Sequence, residues 1–299
     1  MRCETTADPD EFWSTAAEFL ISDPVVHNVL TTTVLGRRSG AISGPAPATY
    51  LVVRDGAGEI VGAAMRTPPH NIVLTALPPA AVEPAVAALS AACPDAGGAS
   101  GPSGTADAFA TEWGRRTARE IALGMRLRIH RLEAVRHPAP VPGKVRLAVP
   151  ADLDLVVAWT EAFALEAEGA GTAAAKPAGA EAPEDGEAVH VADRREVEVR
   201  VDEQRAWIWA DDEPVCYAGT SLPAGGVIRI GPVYTPPERR RRGYASALVA
   251  ALSQGALDAG ATACALYTDV ANPTSNKIYA AVGYRPVADV TNYRFGGQL

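Results

Sequence analysis

Apolar residues in this chain recur at two spacings, one of about 3.6 residues and one of two, which mark helices and strands in a repeated order. Phe12, Trp13, Ala16, Phe19 and Leu20 give residues 10–21 an apolar helical face, and residues 24–35 read as a second helix. Residues 50–55 and 59–65 are strands around the turn Asp55-Gly56-Ala57-Gly58, and 71–77 is a third. A helix over 79–92 has Val82, Val86 and Leu89 in register; a helix around 105–119 and a strand over 125–132 close this half.

The pattern then starts again. The proline-rich stretch 136–143 reads as a linker, 144–149 as a strand, and 150–168 as a helix whose Leu153, Val156, Val157, Phe163 and Leu165 face a core. Residues 169–188 are mostly alanine, glycine, proline and acid without periodicity, the composition of a surface loop. It is either a passive insertion or a lid, and Glu181, Glu184, Asp185 and Glu187 would suit a cationic amine. A hairpin over 206–210 and 214–218 turns at Asp211-Asp212, and a strand over 228–233 ends at Pro236-Pro237. After Gly243, Ala245, Leu248, Val249, Leu252 and Leu257 recur at helical spacing; residues 265–284 add strand, turn, helix and strand, with Asn272 as N-cap, Pro273 at the first helical position and Gly283 as the stop. The two halves share an order of elements, as a diverged duplication would.

A length of 299 residues suits two domains, and 47% hydrophobic with 21% charged residues is ordinary for a soluble protein. No apolar run approaches the ~20 residues needed to span a bilayer, and Met1-Arg-Cys-Glu-Thr-Thr-Ala-Asp8 has no signal-peptide character. A cytoplasmic protein without membrane association is therefore expected. Cys3, Cys93, Cys216 and Cys264 are scattered, as are the five histidines, so reduced thiols and no metal site are expected. The net charge of −8 sets the Arg239-Arg-Arg-Arg242 run against an acidic background and argues against nucleic-acid binding.

That arginine run sits where a strand hands over to a helix. Arg240-Arg-Arg-Gly-Tyr-Ala245 fits Arg/Gln-x-x-Gly-x-Gly/Ala, in which small residues let a ligand approach the backbone and free helix N–H groups point outward. Such a junction binds phosphate; the plainer reading is a solvated charge cluster. Further along lies Asn272-x-x-Ser275-x-x-x-Tyr279-x-x-x-Gly283-Tyr284. The ordered pair of motifs resembles the acetyl-CoA-binding half of the GCN5-related N-acetyltransferase (GNAT) family, although many members have glycine where this chain has Arg241.

The resemblance implies an α/β fold of two tandem GNAT-like domains, each a mixed, mostly antiparallel sheet flanked by helices. Residues 1–139 would be a degenerate domain, structural or lining the substrate, and 140–299 a catalytic domain. It also implies acetyl transfer from acetyl-CoA to the primary amine of an acceptor by direct attack. Backbone N–H groups near Val233 and Tyr234 would polarise the thioester carbonyl, and Arg240, Arg241, Arg242, Gly243, Tyr244, Ala245 and Ser246 would hold the pyrophosphate. Asn272, with Ser275 on the same turn, would orient the pantetheine arm; as an N-cap Asn272 also has a purely structural job. Tyr279 would protonate the leaving thiolate, a tyrosine near its reference pKa of ~10 being protonated at neutral pH, or would only pack its helix on the sheet. Glu161, Glu166, Asp269 and Tyr234 are candidates for the base, and the plainer reading of each carboxylate is a surface group.

In the first half, the counterpart of the phosphate loop is Leu77-Pro-Pro-Ala-Ala-Val82, without glycine or arginine, and Phe109 stands where a proton donor is wanted. One cofactor per chain follows. Besides a small-molecule N-acetyltransferase, two readings stay open: a non-catalytic acyl-CoA-binding regulatory protein, and an amino-sugar thiol conjugate acetyltransferase resembling mycothiol synthase. A monomer and a homodimer are both compatible with the sequence.

Overall fold

The computed structural model describes residues 1–173 and 194–298. In chain order the elements are β1 (Arg2–Thr6), α1 (Pro9–Ser22), α2 (Asn28–Ser39), β2 (Thr49–Arg54), β3 (Ile60–Arg66), β4 (Ile72–Leu74), α3 (Pro79–Ala92), β5 (Gly98–Pro102), α4 (Ser103–Thr117) and β6 (Arg119–Leu132). They continue with β7 (Lys144–Leu147), α5 (Leu153–Ala173), α6 (Arg194–Asp202), β8 (Ala206–Asp211), β9 (Glu213–Thr220), β10 (Val227–Tyr234), α7 (Tyr244–Asp258), β11 (Ala263–Asp269), α8 (Pro273–Val282) and β12 (Arg285–Gln298). Each half reads strand, two helices, three strands, helix, strand, helix, strand. The duplicated order expected from the patterning is present.

The chain divides into two compact units: unit 1 is Met1–Ile129, Thr268–Ala271 and Pro286–Leu299, and unit 2 is His130–Tyr267 and Asn272–Arg285. This division differs from the cut at 139/140 expected from the proline-rich stretch. That stretch is tied to unit 2: Arg136 N–H donates to the Val282 carbonyl at 2.7 Å, and Trp209 Nε1 donates to the Pro142 carbonyl at 2.8 Å.

Unit 1 has the strand order β1-β2-β3-β4-β5-β12-β6. Alternation along β2 and β3 sends Leu51, Val53 and Ala64 into one cluster with Val86, Leu89, Phe109 and Trp113 of α3 and α4. Tyr50, Val52, Ala63 and Met65 enter the other cluster with Phe12, Leu20, Leu30 and Val34 of α1 and α2. The last strand of the chain belongs here and not to the half that precedes it. Val290 to Arg294 of β12 run antiparallel to Gly98–Pro102, and Phe295 stacks on Trp113 with ring centroids 4.8 Å apart.

Unit 2 has the order β11-β10-β9-β8-β7. One face packs on α7 through Cys216, Ala218, Ile230, Leu248, Val249, Leu252 and Leu266; the other packs on α5 and α6 through Val156, Val197, Val201, Ile208 and Tyr217. Several expectations need correction. Phe163 and Leu165 are exposed, at 38% and 52%, because the buried stripe of α5 runs through Leu153, Val156, Val157 and Trp159. The helix also extends five residues past 168, to Ala173. The third strand of the first half is only Ile72–Leu74, since Pro78 and Pro79 start α3 soon after. The loop-or-lid question falls on 174–188 and lies outside the described residues. Among the described residues no helix is long and apolar enough to cross a membrane, no acid–His–Cys cluster suits a metal, and the four cysteines are free.

Candidate functional site

In unit 2 the sheet opens at a defined point. Val227, Ile228 and Arg229 of β10 pair in parallel with Ala263, Cys264 and Ala265 of β11, and no pairing joins their remaining described residues. On its other edge β10 is bulged against β9 between Ile230 and Val233, at Gly231-Pro232. Gly231 has φ 149°, a region open to glycine, and Pro232 has no N–H for the ladder. Beyond the bulge, Val233 lies opposite Ala218 and Tyr234 opposite Tyr217. The strand end proposed to carry the carbonyl-polarising N–H groups is thus the strand end that leaves β11.

After β10 the chain makes a single 3-10 turn over Pro237–Arg239 and enters α7. Gly243 is the N-cap at φ 83°, and no side chain caps this helix. The first-turn N–H groups of Tyr244, Ala245 and Ser246 therefore have no side-chain acceptor, which leaves a positive helix end open to an anion. The N-terminus of α8 is different: Asn272 Oδ1 accepts from Thr274 N and Ser275 N, both at 3.1 Å. The Asn272 oxygen is committed to capping, and only Nδ2 remains to reach a ligand.

Arg241 has φ 62°, in the left-handed region. The glycine common at this place in the resembling family has a physical reason, and this chain accepts the strain of a side chain there, roughly 1–2 kcal/mol. A Cβ on Gly243 would lie 2.9 Å from Val141 Cγ1, so this glycine is required by contact as well as by φ. The four arginines have separate fates. Arg239 is ion-paired with Glu213. Arg240 Nη2 donates to both carboxylate oxygens of Glu166 at 2.6 and 2.8 Å, and its Nε donates to the Thr235 carbonyl at 2.8 Å. Arg241 and Arg242 are exposed and make no ion pair among the described residues.

Tyr234 is 8% exposed, with its ring 6.2 Å from that of Trp159 and 5.8 Å beneath the Arg240 guanidinium. Burial first, then the Glu166 carboxylate, push its phenol up, so it holds its proton at neutral pH and is no base. Glu166 is occupied by Arg240. Glu161 is half-buried on α5, and Asp269 falls in unit 1 with Oδ1 accepting from Ala271 N at 2.8 Å.

Tyr279 is half-buried against the α7-side cluster, edge-on to Tyr284 at 6.1 Å between centroids, and its hydroxyl makes no hydrogen bond among the described residues. Burial raises its pKa above the reference value assumed for a donor, and the Cys216 thiol, itself pushed up to about 12, adds to this. Tyr279 packs on the α7 side of the sheet, whereas Tyr234 packs against Trp159 of α5. Tyr244, within the pyrophosphate run, points elsewhere: its hydroxyl donates to Asp211 Oδ2 at 2.6 Å.

The corresponding junction of unit 1 differs, although α3 also starts without a side-chain cap. Leu77 N–H donates to Thr105 Oγ1 at 2.9 Å, Ala81 N–H to the Pro78 carbonyl at 2.8 Å, and Pro79 has no N–H. The open cleft beside it, of about 580 Å³, is lined by Leu77, Val82, Thr105, Glu83 and Glu112 and by no cation.

Residues 173–284 match the family model described as Acetyltransferase (GNAT) family. A Drosophila protein shares the fold at 12% identity and TM-score 0.64, with 98% of each chain covered. A GNAT-family acetyltransferase from Colwellia psychrerythraea does so at 12% identity and TM-score 0.56, covering 99% of this chain and 100% of that one. A tandem GNAT protein from the clavulanic acid biosynthesis pathway aligns at 16% identity and TM-score 0.52, with 99% of each chain covered. Among curated proteins none matches in sequence. A GNAT acetyltransferase domain thus lies within residues 173–284, and the fold of GNAT proteins runs the length of the chain.

Proposed function

We propose that this chain, with its GNAT domain in the second half, is an acetyl-CoA-dependent N-acetyltransferase with one site, in unit 2. The observation that carries the reading is the uncapped N-terminus of α7 behind Arg241 and Arg242, beside the point where β10 leaves β11. In this reading the N–H groups of Tyr244 to Ser246 hold the pyrophosphate and the two exposed arginines offset its charge. The pantetheine arm lies in the sheet opening, with Asn272 Nδ2 as a donor to it.

Acetyl-CoA supplies an activated thioester. The amine enters as the neutral base and its nitrogen bonds to the thioester carbon, while the N–H groups at Val233 and Tyr234 stabilise the oxygen as it gains charge. The C–S bond then breaks, its electron pair stays on sulfur, and Tyr279 gives its proton to the thiolate. The nitrogen sheds its extra proton to solvent, and Tyr279 is reprotonated from solvent. Residues 1–139 bind no cofactor in this reading. A protonated Tyr279 hydroxyl without a hydrogen-bond partner among the described residues favours turnover over a carrier that only binds acyl-CoA. Thiol release from acetyl-CoA across a broad panel of primary amines, including an amino-sugar thiol conjugate, tests the reading. An acceptor-dependent burst of free CoA is the expected result; no release with any amine by a protein that binds acetyl-CoA would make it a carrier.

A further inference from the structure

The α5–α6 face of the unit 2 sheet carries polar side chains that acetyl-CoA binding leaves unused. Arg229 lies opposite Ala265, and Tyr267, two residues further along β11, shares that face. Tyr217 and Gly219 share the same face of β9, where Tyr217 lies opposite Tyr234. Arg200 of α6 reaches over them and donates from Nη1 to Tyr217 Oη at 3.0 Å. Gly219 keeps the space open: a Cβ there would lie 3.1 Å from Arg200 Cδ, 3.2 Å from Tyr217 Oη and 3.1 Å from the Gly231 carbonyl oxygen.

The charge of this cluster is unbalanced. Arg66, Arg128 and Arg146 have carboxylates, in Asp95, Asp289 and Asp152. Arg229 and Arg200 have none among the described residues. Burial pulls the Arg229 pKa down, Tyr267 partly restores it, and the charge of Arg200 lowers it again. Tyr267 is pushed up to about 12 by burial, so its hydroxyl is a donor at neutral pH. Two neighbouring guanidinium groups in a partly buried setting repel each other until an anion lies between them. Arg229 is also the last residue of β10 paired with β11, so the cluster stands at the base of the opening.

We infer that Arg200 and Arg229, with the hydroxyls of Tyr217 and Tyr267, seat an oxyanion of the acceptor, so that the acetylated amine belongs to a molecule that also carries a carboxylate or phosphate. This rests on the acetyltransferase reading for the word acceptor, but the seat itself is a binding site with its own test. A purely cationic amine, the acceptor that the acids of 181–187 would suit, is repelled at this face.

Binding is measured by calorimetry on the full chain loaded with CoA, using matched probes: O-phosphoethanolamine against ethanolamine, and β-alanine against propylamine. In at least one pair the member that bears the oxyanion binds about 10-fold or more tightly than the simple ammonium, as charge-assisted hydrogen bonds require. The stronger pair identifies phosphate or carboxylate. Arg229→Met and Arg200→Met each remove most of that preference, with the acetyl-CoA Kd unchanged. Gly219→Ala, which displaces Arg200 without removing its charge, weakens the anionic probe as well. Equal binding within both pairs, no binding of either oxyanion-bearing probe, or a preference that survives in both Met variants overturns the seat. Because turnover is not the readout, binding of an anionic probe without acetyl transfer would defeat only the acetyltransferase reading.

Discussion

Gly243 is held by two independent constraints, a left-handed φ of 83° and a 2.9 Å approach to Val141. Gly243→Val therefore blocks the anion site and also costs stability, on the order of 1–3 kcal/mol from φ and overpacking together. Calorimetry should show acetyl-CoA binding lost, and a thermal melt should show the protein still folded at a lower Tm. Tyr279 contrasts with it. Its hydroxyl has no partner to lose, so Tyr279→Phe should leave Tm within about 1 °C while lowering kcat roughly 10²- to 10⁴-fold at unchanged acetyl-CoA affinity. An unaltered kcat removes it from the proton transfer. Its raised pKa also fixes a pH response: the folded state favours the protonated phenol, so the donor is intact at and below the unfolded value of ~10 and is lost only as pH rises through the higher folded value. A kcat–pH profile should therefore rise as the amine deprotonates and show no alkaline limb below pH ~10; a fall between pH 7 and 9 would assign the acid to another group.

Among the elements, β12 is where chain order and packing part company. Phe295 is 4% exposed against Trp113, so Phe295→Ala should destabilise unit 1 by about 3–5 kcal/mol, read as a lower urea midpoint. A loss below about 1 kcal/mol would mean that this strand is not integral to unit 1. Helix α8 was fully legible in the sequence because Asn272, Pro273 and Gly283 act on their own backbone neighbours. Strand β5 was not, since Gly98-Ala-Ser-Gly-Pro102 has no strand propensity and is held by β4 and β12 on either side. Helix α6 was hidden for the opposite reason: Arg194-Arg-Glu-Val-Glu-Val-Arg-Val-Asp202 alternates like a strand, yet Val197 and Val201, four apart, are the pair that packing buries. The seat at Arg229 left one readable trace, a lone cation between Ile228 and Ile230 in an apolar strand, but its partners come from α6, β9 and β11 and only the fold unites them.

At the scale of the molecule, two halves with one order of elements carry unequal chemistry. In one, the helix after the third strand starts with free N–H groups behind exposed arginines; in the other, an equally uncapped helix starts on Pro79, which has no N–H, beside a cleft lined by no cation. The duplicated fold thus predicts one acyl-CoA site per chain. Titration calorimetry of the full chain with acetyl-CoA measures this directly. One equivalent per chain, abolished by Gly243→Val, is the result predicted here, whereas two equivalents of comparable affinity, or one that survives Gly243→Val, would contradict it.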